Sequence, residues 1–128
     1  MRRVLLDTNV LLWWLAGNSQ LGREARTIVA HAETEVFVSA ATIWEISIKL
    51  ELGKLKAPKN MEREIEREGF SKLAITLTHA QLAASLPKIH RDPFDRMLVA
   101  QAQLEDLELV SADPVFAKYS VRLIRATD

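Results

Sequence analysis

Short apolar runs alternate with segments of helical periodicity, and this alternation narrows the fold more than any other feature of the chain. Arg3 to Leu6 reads as a strand, Asp7-Thr8-Asn9 as a capping cluster, and Val10 to Ala16 as an apolar helix closed by Gly17-Asn18-Ser19. Leu21, Ala25, Ile28, Val29 and Ala32 recur at helical spacing and predict a second helix. Val36 to Val38 predicts a second strand, after which Ser39 caps a long helix reaching Leu52 and ended by Gly53. Lys54 to Asn60 is a polar connector containing Pro58, and Met61 to Glu68 a short charged helix. Leu73 to Leu77 predicts a third strand, with Thr78 capping a helix to Leu86 that Pro87 stops. Asp92-Pro93 is a strong helix start, with Asp92 as N-cap and Pro93 in the first helical position; that helix runs through Leu104. Leu107 to Ser111 predicts a fourth strand, Asp113-Pro114 opens a turn or short helix, and Ser120 to Ile124 predicts a fifth strand. Strands alternating with helices imply an α/β fold whose parallel sheet is covered on both faces. Successive strands then end on one edge, and ligands in such sheets bind beyond the carboxyl ends.

The 128 residues suit one domain, spanning 1–128, without repeats, low-complexity segments or an internal linker. An apolar fraction of 48% with 27% charged residues is globular composition. No apolar run approaches the ~20 residues needed to span a bilayer, so no membrane association is expected. The start, MRRVLLD, has basic residues but lacks the apolar core of a secretory leader, and the expected location is the cytoplasm. With no cysteine, disulfides and thiolate metal sites are excluded. Zero formal net charge argues against broad, nonspecific adhesion to nucleic acid. A local basic rim is compatible with it, drawn from Arg2, Arg3, Lys49, Lys54, Lys56, Lys59, Arg91 and Arg96.

Four acids stand where separate segments end or begin: Asp7, Glu45, Asp95 and Asp113. Asp7 follows a strand and would serve as an N-cap, worth about 1 kcal/mol, although Thr8 or Asn9 offers the same service. Glu45 shares a helix face with Ala41, Ile48 and Leu52, and a carboxylate in an apolar stripe is costly unless paired or bound to metal. Its structural alternative is a rim position with a salt bridge to Lys49. Asp95 suits the helix dipole in a first turn, yet it lies in line with Leu98, Val99 and Ala102 and points toward packed surface. Asp113 before Pro114 is by itself an N-cap candidate. Brought together, the four would form an all-oxygen pocket for a divalent cation. His31, His79 and His90 show no metal-ligand spacing, and His90 beside Arg91 and Asp92 reads as a loop hydrogen-bonder rather than a general base. Trp13, Trp14 and Trp44 read as core or subunit contacts rather than base-stacking platforms.

VLLDTNVLLWWL, SAATIWEISIKLELGKL, HRDPFDRMLVAQA and LVSADPVF, in that order, together resemble the PIN-domain family. More narrowly they resemble the VapC-type toxins of bacterial toxin–antitoxin pairs. The resemblance covers nearly the whole chain; DTN alone is weak, whereas HRDPFDRMLVAQA in this context is specific. It implies a three-layer α/β/α PIN-like fold with a small, mainly parallel sheet of four to five strands, and Mg²⁺- or Mn²⁺-dependent endoribonuclease activity. The acidic quartet then falls on Asp7, Glu45, Asp95 and Asp113, as catalytic residues and metal ligands, with Thr8, Asp92 and Ser111 in support. Asp7 and Asp95 are expected to be direct ligands, while Glu45 binds a second ion or orients the attacking water. The same resemblance implies an RNA substrate, a small cognate antitoxin and a homodimer.

Two other readings fit less well. A receiver domain needs an acidic pair after its first strand and a phospho-accepting Asp after its third, neither of which is present; Asn9 breaks the D-x-D of a haloacid-type phosphatase. A noncatalytic PIN-like binding module is the remaining alternative, and the presence of all four acids argues against it.

Overall fold

The computed structural model describes residues 1–128 and shows a five-stranded, wholly parallel sheet in the order β3-β2-β1-β4-β5. Its elements are β1 (Arg3–Leu6), α1 (Thr8–Ala16), α2 (Arg23–Ala30), β2 (Glu35–Ser39), α3 (Ala40–Glu51), α4 (Met61–Glu68), β3 (Ser71–Leu73), α5 (Leu77–Ser85), α6 (Pro93–Glu105), β4 (Glu108–Ser111) and β5 (Leu123–Arg125). A 3₁₀ turn at Pro114–Lys118 links the last two strands.

Side-chain alternation along the central strands divides the core into two layers. Val4 and Leu6 face one side, where they pack with Val10, Leu11, Ile28 and Ile65 from α1, α2 and α4. Leu5 faces the other, with Leu98 and Val99 of α6 and Ala83 of α5. Helices therefore cover both faces, giving the expected three-layer α/β/α arrangement. No helix is long and apolar enough to cross a membrane.

Strand order reverses at β1: the chain leaves β1 toward β2 and β3, then crosses back to β4 on the other flank. Leu6 lies opposite Val110, so the residues following β1 and β4 emerge side by side at the carboxyl edge. An open parallel sheet forms its crevice at such a reversal. Local signals start the helices there. Asp7, Ser39 and Asp92 are N-caps whose side chains accept from Val10, Ala41 and Phe94 backbone N–H groups.

Three boundaries differ from the sequence expectation. The third strand is Ser71–Leu73 rather than Leu73–Leu77, because α5 is capped by Thr76 and not Thr78. The Thr76 hydroxyl accepts the His79 backbone N–H at 3.1 Å, and the His79 ring accepts the Thr76 N–H at 3.0 Å; this reciprocal pair fixes the helix start two positions early. The fifth strand is Leu123–Arg125, since Ser120 and Val121 complete a turn in which the Val121 N–H reaches the Tyr119 carbonyl. The second helix begins at Arg23, after Gly22.

Arg96 is not part of a basic rim. Its guanidinium donates to the carbonyls of Ala83 and Leu86 at 2.9 Å, Pro87 at 3.1 Å and His90 at 3.3 Å. It thus closes the end of α5 and holds the loop that precedes α6. Arg2 and Arg3 are also off the rim, because they pair with Glu108 and Glu35 at the opposite edge of the sheet. Replacing Arg96 with Met should lower folding stability by roughly 2–3 kcal/mol, with Lys a poor substitute for the planar donor fork. Urea denaturation checks this; an unchanged midpoint would mean that water serves those carbonyls equally well.

Candidate metal centre

All four acids singled out in the sequence line one cavity of about 160 Å³ at the strand-order reversal. Thr8, Asn9, Asp92 and Lys49 complete most of its wall. A larger, apolar groove of about 510 Å³, bounded by Ile43, Trp44, Ile65 and Leu73, contains none of the four.

Each acid reaches the cavity from a different element. Asp7 caps α1, with Oδ1 accepting the Val10 N–H at 2.9 Å, and its Oδ2 accepts the Ser111 hydroxyl in a very short hydrogen bond. One oxygen thus serves the helix cap while the other is held by β4 at the cavity. Ser111 also accepts the Asp113 N–H at 3.0 Å, so the end of β4 orients two acids at once. Asp113 caps the 3₁₀ turn through the Val115 N–H at 2.9 Å. Asp95 lies in the first turn of α6, and its helical neighbours Leu98, Val99 and Ala102 are buried as expected.

Glu45 is only 6% exposed, and the reason differs from the sequence reading. Ile48 and Leu52, assigned to its face, are 37% and 61% exposed. Glu45 instead sits among Ala41, Thr42 and Ile46. Its Oε1 accepts the Thr8 hydroxyl at 2.6 Å, tying α3 to α1, and its Oε2 accepts Lys49 Nζ at 2.7 Å. The Lys49 salt bridge thus exists, but it serves a buried carboxylate rather than a surface one.

His90 is the residue that sequence reasoning undervalued. It is a loop hydrogen-bonder, as its context suggested, yet its ring bonds the site's Asp113 and lies against Asp95. Ring Nε2 lies 3.0 Å from Asp95 Oδ2 and 3.1 Å from Asp113 Oδ2. Only its position ahead of the Asp92-Pro93 helix start hinted at this.

The donor set suits a hard divalent cation. Carboxylate oxygens dominate, and oxygen is what Mg²⁺ and Mn²⁺ prefer. Ligand atoms from His90, Asp95 and Asp113 all lie within 4.8 Å of one another. The carboxylates are also short of countercharge. Burial pushes the Asp7 carboxyl up to about 6, against the opposing hydrogen bond from Ser111. Burial, then the neighbouring Asp92, pushes Asp95 up to about 7. Groups this reluctant to ionise gain most from a bound cation.

A family model described as PIN domain matches residues 4–121. No curated protein matches the chain by sequence. Among solved structures, a toxin–antitoxin complex from Klebsiella pneumoniae aligns with a TM-score of 0.70 and 21% identity, covering 98% of both chains. VapBC2 from Rickettsia felis, bound to a DNA fragment from its promoter, aligns with a TM-score of 0.72 and 12% identity over 96% of this chain and 98% of that one. FitAcB from Neisseria gonorrhoeae gives 0.63 and 21% over 96% and 97%. At these identities the likeness speaks for the fold.

The raised carboxyls make stability depend on pH. Folded protein retains protons that the unfolded chain has already released. The contribution of each is complete below the unfolded value of ~3.9 and is lost as pH climbs through about 6 for Asp7 and about 7 for Asp95. Cation-free protein in EDTA should lose roughly 1–1.5 kcal/mol on Asp7's account between about pH 5 and about pH 8, and Asp7→Asn should flatten the curve. Denaturant midpoints across that range provide the check, and stability rising with pH would contradict the electrostatics described.

Proposed function

The chain belongs to the PIN domain family, and on that footing we propose that it is a Mg²⁺- or Mn²⁺-dependent endoribonuclease, the VapC-type toxin of a toxin–antitoxin pair. One observation carries this reading: four acids from four segments share one small cavity, and only Lys49 among basic side chains lines it. So costly a cluster calls for a cation rather than a packing explanation.

Asp7 and Asp95 would hold the cation directly, with Asp113 completing the shell. When bound, the cation supplies an acidified water and offsets charge growing at phosphorus and the leaving oxygen. The chain's own residues prepare the place for it. Ser111 holds one oxygen of Asp7, and the other is committed to the α1 cap, so this carboxylate cannot rotate freely. Thr8 and Lys49 hold both oxygens of Glu45 at the cavity wall, where it would bind a second ion or orient the attacking water. Asp92 supports Asp95 through the N-cap that starts α6. Lys49, which lines the cavity, together with Lys54, Lys56, Lys59 and Arg91 supplies the positive rim for the phosphate backbone, without Arg2, Arg3 and Arg96. Single-stranded or looped RNA fits best, since its bases can be splayed and read.

The partners follow from the same reading: a small cognate antitoxin, a second copy of the chain in a homodimer, and RNA as substrate in the cytoplasm. Trp44 and Leu52 of α3, at 62% and 61% exposed, support a protein partner on that side. Receiver and phosphatase alternatives fall with the family assignment. A noncatalytic module has no use for the full acidic set, and activity separates it from the nuclease.

Purified protein incubated with RNA and Mn²⁺ should cleave it, EDTA should stop cleavage, and Asp7→Asn should reduce the rate by roughly two orders of magnitude or more. Equal cleavage by the variant would assign the activity to a contaminant or another site. Mg²⁺ at a hundredfold excess over its dissociation constant should stabilise the fold by ~2.7 kcal/mol. A melting temperature indifferent to both EDTA and Mg²⁺ would count against a bound cation.

A further inference from the structure

His90 lies outside the acidic quartet but inside its hydrogen-bond network, and its second ring nitrogen reveals how it is used. Nδ1 accepts the backbone N–H of Asp92 at 3.4 Å. A ring nitrogen that accepts an N–H carries no proton, so the proton of the neutral ring sits on Nε2. Nε2–H then donates to Asp113 Oδ2 at 3.1 Å, while Asp95 Oδ2 lies against the same nitrogen at 3.0 Å in an electrostatic contact.

The ring is anchored around this role. The His90 backbone N–H donates to the Tyr119 hydroxyl at 2.8 Å, and that hydroxyl donates to the Pro87 carbonyl at 2.9 Å. Phe116 packs against the imidazole at 5.5 Å between centroids. Arg96 holds the His90 carbonyl, and the side chain is 16% exposed. Backbone, ring face and carbonyl are each held by a different neighbour.

Direct ligation of a cation through Nε2 fits this geometry poorly. It would move the ring proton to Nδ1, where the Asp92 N–H already points. A metal-bound histidine gives its other N–H to an acceptor, and here the facing group is a donor. Asp95, whose contact with the ring is electrostatic, keeps its carboxylate open to a cation.

We infer that His90 is a positioning residue of the metal centre, whose Nε2–H holds Asp113 while its ring lies against Asp95, setting the gap between the two carboxyl groups for the cation. This rests on the metal-centre reading above. The anchored ring holds the two carboxyl groups at a fixed separation before the ion arrives, so less reorganisation is needed on binding.

Full-length protein labelled with ¹⁵N-histidine tests it directly. Long-range ¹H–¹⁵N correlation should show the Nε2–H tautomer at His90 without metal and again with saturating Mg²⁺. Calorimetric Mg²⁺ titration adds the functional side. His90→Gln, whose amide nitrogen reaches the Nε2 position, should keep affinity within about threefold. His90→Leu, and His90→Asn with its donor at the Nδ1 position, should each lose about 10–100-fold while still melting cooperatively. Should the Leu variant not fold, the Gln and Asn pair carries the comparison. An Nδ1–H tautomer with Nε2 shifted by the metal would overturn the inference in favour of ligation, and Asn or Leu affinity equal to the parent's would overturn it outright. Loss of the underlying metal-centre reading is distinguishable, because the unaltered protein would then bind no Mg²⁺ at all.

Discussion

The parallel pairing of β1 with β4 is the constraint on which the site depends. Leu6 lies opposite Val110, and the Asp7 N–H continues the ladder to the Val110 carbonyl at 3.1 Å. One residue further on, the Ser111 hydroxyl reaches the Asp7 carboxylate, joining positions 104 apart in the chain. The register is enforced by the core, because Leu5 packs in one layer while Val4 and Leu6 pack in the other. A slip of one residue would turn all three to the wrong faces and carry Asp7 away from β4. Sheet register, and hence apolar packing, thereby decides whether the acids meet.

Meeting is electrostatically unfavourable without a cation. Asp7 and Asp95 resist ionisation chiefly because they are buried, and each feels the other acids. The fold offsets part of this with fixed donors: Ser111 and the Val10 N–H on Asp7, Thr8 and Lys49 on Glu45, and His90 on Asp113. These contacts hold oxygens in place and leave the charge excess largely uncompensated. That combination favours a tightly defined cation site over a stable empty one. Arg96 acts one step back, holding the loop from which His90 and Asp92 project.

Sequence carried the fold well where strong local signals agree with tertiary packing. Ser39, Asp92-Pro93 and Asp113-Pro114 mark helix starts that the structure retains, and β1 has its expected ends. It was less informative where a side chain overrides the local signal. The α5 start moved to Thr76 because the His79 ring reaches back to cap it, a contact that threonine spacing cannot reveal. Helical spacing also grouped Glu45 with Ile48 and Leu52, which proved exposed, because α3 is only half covered. The four acids were legible through their positions beside segment boundaries. His90 and Arg96 were not, since their partners are set by the path of the 86–92 loop, which leaves no periodicity. An arginine next to an aspartate looks like surface charge until its five carbonyl contacts are traced.

The central claim is that these carboxylates share a divalent cation, and anomalous diffraction from crystals grown with saturating Mn²⁺ addresses it most directly. The account predicts a manganese peak inside the cavity at the strand-order reversal, bonded to oxygens of both Asp7 and Asp95. Manganese held elsewhere on the molecule, with that cavity filled only by water under the same saturating conditions, would contradict it.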